Sequence, residues 1–147
     1  MQLTAFTDYT LRTLIYLGIE EGRRATVAEI AAAYGIAENH LTKVVLLLGQ
    51  AGDVATLRGR GGGLRLARPA SAINVGAVVR RTEPGLALAP CLGTGNCVIT
   101  PACCLRPVLA EALDAFLGVL DRYTLADLVA GSRGGLARLL GLTLPAA

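Results

Sequence analysis

Two short helical segments followed directly by a glycine-rich hairpin constrain this chain most. Thr26, with Glu29 three residues later, forms a capping-box pattern ahead of VAEIAAAYG, and Gly35 supplies a stop signal. A further helix is expected to begin near Ala37 or Glu38 and to run through ENHLTKVVLLLGQAG. Helices of about ten residues joined by a short turn containing glycine are typical of a helix-turn-helix.

The segment that follows predicts a wing. DVATL and LRLA are short β-compatible runs on either side of RGRGGG, so residues 53–67 are expected to form a hairpin with a basic tip. Ahead of the helix-turn-helix, apolar spacing predicts a first helix from about Thr7 to Glu20, with Thr7 as its cap. The predicted fold is mainly α, with a winged helix-turn-helix DNA-binding domain over residues 1–83.

The pattern changes from the end of this domain onward. INVGAVVRRTE predicts a short helix that ends before Pro84, and residues 84–104 form a cysteine-rich loop without sustained periodicity. Residues 105–131 are expected to contain a long dimerisation helix and a following short helix from YTLADLVAG, and residues 132–147 a loosely ordered tail. The long helix carries an apolar stripe that a second copy of the chain would bury, comprising Leu105, Leu109, Ala112, Leu113, Phe116, Leu117 and Leu120.

Composition agrees with a helical chain and argues against two classes of protein. Hydrophobic residues make up 53% but aromatic residues only 4%, so the core must consist mainly of Leu, Ala and Val. No apolar run reaches the roughly 18 residues of a membrane span, and MQLTAFTDYTLR carries an acid where a signal peptide has basic residues. We therefore expect a cytoplasmic protein with no membrane contact. His40 is the only histidine and lies on the predicted second helix of the motif, which argues against an enzyme.

Two groups of residues are candidates for contact with double-stranded DNA. In a helix-turn-helix, polar residues near the start of the second helix reach base edges, and an ordinary solvated face is the alternative. In the wing tip, glycines let the backbone approach phosphates while an arginine enters the minor groove, and a soluble turn is the alternative. Six arginines and no acid lie between residues 54 and 82, a positive stripe that would attract phosphates. The candidate DNA-binding residues are Glu38, Asn39, His40, Thr42, Lys43, Arg58, Arg60, Gly61 and Gly62.

The cysteine loop is the candidate metal site. Cys91, Cys97 and Cys103 are each separated by five residues, whereas structural zinc sites usually bring ligands in closely spaced pairs. Iron–sulfur clusters are held chiefly by cysteine thiolates, and a wide spacing in a loop can surround such a bulky group. The alternatives are a reduced, metal-free loop and an incidental disulfide.

Several stretches together resemble a known family over nearly the whole chain. MQLTAFTDYTLRTLIYL, RGRGGGLRLARPASAINVG, the cysteine loop with ITPAC, and YTLADLV are similar to the NsrR family of nitric-oxide-sensing iron–sulfur repressors, which is related to the regulator IscR. The resemblance implies a homodimer with crossing long helices and a 4Fe–4S cluster. Its ligands would be Cys91, Cys97 and Cys103 of one subunit and Asp8 of the other.

Two positions qualify that ligand set. IscR-like members place a histidine three residues after the third cysteine to complete a 2Fe–2S site, but this chain has Arg106, so the 2Fe–2S form is disfavoured. Cys104, directly after Cys103, leaves open which of the two binds iron. Asp8 could instead be a cap near the positive end of the helix dipole.

The implied function is a dimeric repressor that releases operator DNA when nitric oxide destroys the cluster. Arg12, one turn after Asp8, is the candidate switch residue, because it could pair with that carboxylate when iron is absent. The alternatives are a regulator that responds to iron–sulfur supply or to redox state, and a zinc- or disulfide-stabilised module that binds protein.

Overall fold

The computed structural model describes residues 2–144 and consists mainly of helices with one small antiparallel hairpin, as predicted. Three short 3₁₀ turns, Ala70–Ala72, Pro90–Leu92 and Thr100–Ala102, lie between the longer elements. The helices and strands, in chain order, are α1 (Ala5–Ile19), α2 (Val27–Tyr34), α3 (Glu38–Gln50), β1 (Val54–Leu57), β2 (Gly63–Leu66), α4 (Val75–Thr82), α5 (Leu105–Asp121), α6 (Leu125–Ala130) and α7 (Arg133–Leu139).

The capping signals explain most helix starts. Thr26 and Glu29 form the predicted capping box, and Gly35 ends α2 in the left-handed conformation at φ +64°. The predicted cap of α1 is wrong: Thr4 is the cap, and its hydroxyl accepts a hydrogen bond from the Thr7 N–H at 3.3 Å. Thr7 therefore lies inside the helix, where its N–H is one of the donors that the cap satisfies.

The core surrounds α1, which packs against α3, α4 and α6. β1 and β2 pair from Val54 opposite Leu66 to Leu57 opposite Gly63, and Ala25 adds a bridge to Leu64 beside β2. The largest fully buried aliphatic side chains are Leu14, Ile19, Ile30, Leu41, Val44, Leu48, Ile73, Val78 and Val79. A winged helix-turn-helix, α2–α3 followed by β1–β2, is thus assembled on α1.

The C-terminal segment is more ordered than expected. Residues 133–139 form α7 instead of a loosely ordered tail, with Ala137 only 2% exposed and the Arg133 side chain donating to the Ile19 carbonyl at 2.5 Å. Residues 145–147, also assigned to that tail, lie outside the described residues. Leu125 and Val129 of α6 are buried, so the helices after α5 return to the winged domain. None of the helices within residues 2–144 is both long and apolar enough to cross a membrane.

Candidate DNA-binding face and cysteine loop

The second helix of the motif, α3, has one buried and one exposed face. Leu41, Val44 and Leu48 point into the core, whereas the predicted base-reading residues are all exposed. The Thr42 hydroxyl donates to the Glu38 carbonyl at 3.0 Å. This face is available to DNA over the first two turns of the helix, and it carries Glu38, Asn39, His40, Thr42 and Lys43.

His40 also connects α3 to α1. Its ring stacks on Tyr9 with centroids 5.9 Å apart and planes 20° apart. Tyr9 follows Asp8 in the chain, so the recognition helix and the helix that carries the candidate partner ligand are in direct contact. The sequence alone gave no signal for this contact, because the two residues are 31 positions apart.

The wing tip depends on its glycines. Gly59 and Gly61 have φ values of +91° and +76°, which other residues rarely adopt. A β-carbon on Gly62 would collide with the Leu57 carbonyl. Arg58, Arg60 and Gly61 are exposed, and Gly62 is half-buried. The tip is therefore a defined turn that presents two arginines to solvent.

The positive stripe predicted between residues 54 and 82 is only partly available. Asp53 is fully buried and accepts hydrogen bonds from Arg68, through Nε at 2.9 Å, and from Arg81 at 2.6 Å. Arg80 forms a bidentate pair with Asp121 of α5. Asp53 and Asp121 both lie outside residues 54–82, so the charge count over that range does not include the acids that neutralise these three arginines. Of the six arginines in this stripe, those without an acidic partner among the described residues 2–144 are Arg58, Arg60 and Arg65.

Asp8 forms an ion pair with Arg12 and does not cap α1. The carboxylate lies 2.9 Å from Arg12 Nε, and both side chains are 44% exposed. The Arg12 guanidinium also lies 5.7 Å from the ring of Tyr34, the last residue of α2. Burial raises the pKa of Tyr34 to about 12, and the positive charge of Arg12 opposes that rise. Arg12 thus lies between Asp8 and the turn of the helix-turn-helix.

The cysteine loop contains four free thiols. Cys91 and Cys103 are half-buried, whereas Cys97 and Cys104 are exposed. Arg106 Nε donates to the Cys91 carbonyl at 3.0 Å, so this residue, three positions after Cys103, binds the backbone at the first cysteine of the loop. Within residues 2–144, no group of three or more His, Cys, Asp or Glu side chains is close enough to hold a metal. The thiols fit an iron–sulfur cluster in their chemistry, but the described part of the chain does not bring three of them together.

A clamp joins the end of α4, directly before the cysteine loop, to the start of α1. Glu83 Oε1 accepts hydrogen bonds from the Thr4 N–H at 2.8 Å and from the Thr4 hydroxyl at 3.1 Å. Beside it, the buried Thr7 hydroxyl donates to Thr82 at 2.8 Å. Burial raises the pKa of Glu83, but the hydrogen bonds from Thr7 and Thr4 together lower it by more, so the net shift of this pKa is downward.

The long helix α5 is apolar on two faces. Leu117 is buried, and Leu109, Leu113, Phe116 and Leu120 are partly buried. These five residues of the predicted stripe therefore lie on the less exposed face of the helix. The other two members, Leu105 and Ala112, are exposed and belong to a second row on another face. That row follows the alternating spacing of three and four residues found in helix pairs, and it consists of Leu105, Val108, Ala112, Ala115 and Val119.

Known proteins share the sequence and the architecture of this chain. The chain is 53% identical over 132 residues to the HTH-type transcriptional regulator NsrR of Geobacillus kaustophilus (strain HTA426), which covers 88% of this chain and 90% of that protein. The structure of CymR (YrzC), the global cysteine regulator of B. subtilis, matches with a TM-score of 0.74 and 28% identity, covering 89% of this chain and 98% of that one. The T. potens IscR structure shares the fold, with a TM-score of 0.74, 24% identity, and coverage of 92% and 90%.

These relatives are transcriptional regulators and not enzymes, which confirms the expectation drawn from the single histidine. A family model, Rrf2, described as an iron-dependent transcriptional regulator, matches residues 3–131. Because that model spans most of the chain and a relative is 53% identical to it, the protein belongs to the Rrf2 family of transcriptional regulators.

Proposed function

We propose that this chain is a dimeric DNA-binding repressor that senses nitric oxide through an iron–sulfur cluster held by the cysteine loop. The observation that carries the proposal is the cysteine loop with its three regularly spaced free thiols, which follows directly after Glu83, the residue that binds the Thr4 cap of α1 in the winged domain. The 53% identity to a regulator named NsrR supports the same function.

DNA contact is assigned to α3 and the wing. Asn39, His40, Thr42 and Lys43 lie on the exposed face of α3, where a recognition helix reads the major groove. Arg58 and Arg60 carry charge without an acidic partner within residues 2–144, and Gly61 and Gly62 form the tip beside them. The wing would therefore contact phosphates and insert an arginine into the minor groove.

A second copy of the chain is the proposed occupant of the exposed row on α5. Leu105 is 59% exposed and Val108 57% exposed, values that are high for large apolar side chains arranged in one seam. Pairing the two long helices would bury both seams and set two recognition helices on a near-palindromic operator.

Cys91, Cys97 and Cys103 would hold a 4Fe–4S cluster with Asp8 of the partner subunit, and Cys104 stays outside this ligand set. When bound, the cluster supplies the iron that reacts with nitric oxide. A carboxylate is a harder and more weakly held ligand for iron than a thiolate, so the Asp8 side of the site would be open to small molecules. A 2Fe–2S centre completed by histidine has no candidate ligand in the loop, since the residue three positions after Cys103 is Arg106 and the single histidine of the sequence, His40, lies on α3.

Arg12 is proposed as the switch residue. Its ion pair with Asp8 is exposed, and such pairs contribute only about 0.2–1 kcal/mol, so Asp8 can exchange this partner for another at low cost. Because Arg12 also lies over the Tyr34 ring, the exchange would alter a contact at the helix-turn-helix itself. A coupling of about 1.4 kcal/mol is enough for a tenfold change in operator affinity.

The proposal is tested on protein prepared without air. Its visible absorption and its affinity for a duplex selected from a random library are measured before and after nitric oxide. We expect a brown protein that bleaches and releases the duplex, a colourless triple Cys91→Ala, Cys97→Ala, Cys103→Ala variant, and a Cys104→Ala control that behaves as wild type.

Two outcomes would contradict the proposal. A colourless wild-type protein that binds DNA as well as the triple variant does would exclude the cluster. A coloured protein whose DNA affinity changes with oxidants but not with nitric oxide would identify a redox regulator instead.

A further inference from the structure

We propose that Arg24, which lies between α1 and α2 and outside the predicted DNA-binding residues, is a positioning residue that aims the wing at the minor groove. The inference rests on the proposed function, because the wing must contact DNA for its direction to matter. Arg24 would act through the wing backbone and not through a contact of its own with the operator.

Arg24 and its neighbour Ala25 form hydrogen bonds with the wing at two places, the tip and β2. Arg24 Nη1 donates to the Gly61 carbonyl at 2.9 Å, across 37 residues of chain. Its neighbour Ala25 exchanges two backbone hydrogen bonds with Leu64, at 2.9 and 2.6 Å. A β-carbon on Gly63 would lie 2.8 Å from the Ala25 carbonyl and 3.5 Å from the Arg24 Cβ, so this segment passes directly over the start of β2.

The tip has little else to hold it. β1 and β2 have four residues each, and a two-stranded hairpin of this size is marginally stable by itself. Within residues 2–144, the Arg24 contact is the one side-chain hydrogen bond that reaches residues 58–62. Inside the tip, the Gly62 N–H donates to the Gly59 carbonyl at 2.9 Å, which shapes the turn but does not fix its direction.

The direction of the tip decides what Arg60 can read. Arg60 is adjacent to Gly61, the residue that Arg24 holds. An arginine placed in the minor groove favours narrow A·T-rich segments over G·C pairs, since groove width sets the local potential. Loss of the Arg24 contact should therefore relax this preference without removing a charge from the phosphates.

A direct phosphate contact by Arg24 is the competing explanation. The salt dependence of DNA affinity distinguishes this contact from a positioning role. Each arginine that neutralises a phosphate contributes about 0.9 to the slope of log affinity against log salt concentration. If Arg24 positions the wing, its removal leaves this slope unchanged and lowers the ratio of affinities for A·T and G·C duplexes. If Arg24 contacts a phosphate, its removal reduces the slope and leaves the ratio unchanged.

The experiment compares Arg24→Ala, Arg24→Lys and Arg65→Ala in the full chain. Two duplexes share one selected palindrome and differ only in A·T or G·C pairs at the wing positions. For Arg24→Ala we expect the A·T preference to fall by about threefold to tenfold, as for one lost hydrogen bond, with an unchanged salt slope. Arg24→Lys, which can still donate to Gly61, should recover part of the preference. Arg65→Ala also removes one arginine charge, from β2, but leaves the contact between Arg24 and the tip in place. This variant should therefore retain the A·T preference.

The outcomes distinguish this inference from the proposed function. If wild type shows no A·T preference and Arg60→Ala has no effect, the wing does not read DNA and the proposed function fails at that step. If wild type and Arg60→Ala behave as proposed but Arg24→Ala keeps the preference or lowers the salt slope, only the positioning role is overturned.

Discussion

At the scale of single residues, Asp53 shows how burial changes the value of an ion pair. Its fully buried carboxylate binds two arginines that are each partly exposed, whereas Asp8 and Arg12 are both 44% exposed. Asp53→Ala removes the carboxylate that accepts from both Arg68 and Arg81, so we expect the free energy of unfolding to fall by about 2–3 kcal/mol. Asp8→Ala, the matched control, should change it by less than about 1 kcal/mol. Urea unfolding of the metal-free protein measures both, and equal effects would contradict this difference.

Glu83 gives the chain a predictable dependence on acid. Its pKa is lowered in the folded protein, so its carboxylate stabilises the fold fully above the ordinary glutamate pKa of about 4.3. That contribution is lost as the pH falls through the lower, folded-state pKa. The difference in unfolding free energy between wild type and Glu83→Gln should therefore be constant near neutrality and shrink below about pH 4.3. A difference for Glu83→Gln that grows in acid would have the wrong sign and would contradict this prediction.

At the scale of elements, the exposed seam of α5 makes a prediction about assembly. Val119→Glu places a charge in the seam, and two copies of it would meet in the proposed dimer. We expect the dimer dissociation constant to rise by at least about a hundredfold, because an unpaired charge would be buried. Leu139→Glu, the same type of change at an 80% exposed site on α7, should leave the dimer intact. Sedimentation velocity measures the dimerisation of both variants. A Val119→Glu variant that remains dimeric would show that the dimer interface lies elsewhere on the molecule.

Elements were predictable from sequence where their signals are local. The capping box at Thr26, the left-handed Gly35 and the glycine-rich hairpin each depend on neighbours within a few residues, and the structure has all three. The misses are contacts between distant residues. Asp53 meets Arg81 across 28 positions and Arg24 meets Gly61 across 37, and no periodicity or spacing records such pairs. The ordered α7 was missed for the same reason, since it is packing against α1 that holds a glycine-containing helix of seven residues.

At the scale of the whole molecule, α1 is the element through which the proposed signal would pass. Its Thr4 cap binds Glu83, the residue directly before the cysteine loop of the same chain, and its Tyr9 stacks against His40 of the recognition helix. Asp8 lies between these two contacts in sequence. If Asp8 also binds the partner's cluster, one helix end responds to both subunits, and a change at either loop reaches both recognition helices.

Ligation across the dimer can be tested by dividing the ligand set between two subunits. A heterodimer pairs one subunit carrying Asp8→Ala with one carrying Cys91→Ala, Cys97→Ala and Cys103→Ala. If Asp8 serves the partner, the intact cysteines meet an intact Asp8 from the other subunit, so one complete site remains. We expect about half of the wild-type iron and a wild-type rate of cluster loss in air, because the missing site reduces amount and not lifetime.

The matched control places all four substitutions on one subunit and pairs it with a wild-type subunit. Here the intact cysteines face a partner without Asp8, so the cluster should decay at the faster rate of the Asp8→Ala homodimer. Ligation within one chain predicts the reverse assignment, with the slow rate in the control and the fast rate in the divided heterodimer. Because both heterodimers contain the same four substitutions, any general loss of stability affects them alike, and the order of the two rates decides which subunit supplies the fourth ligand.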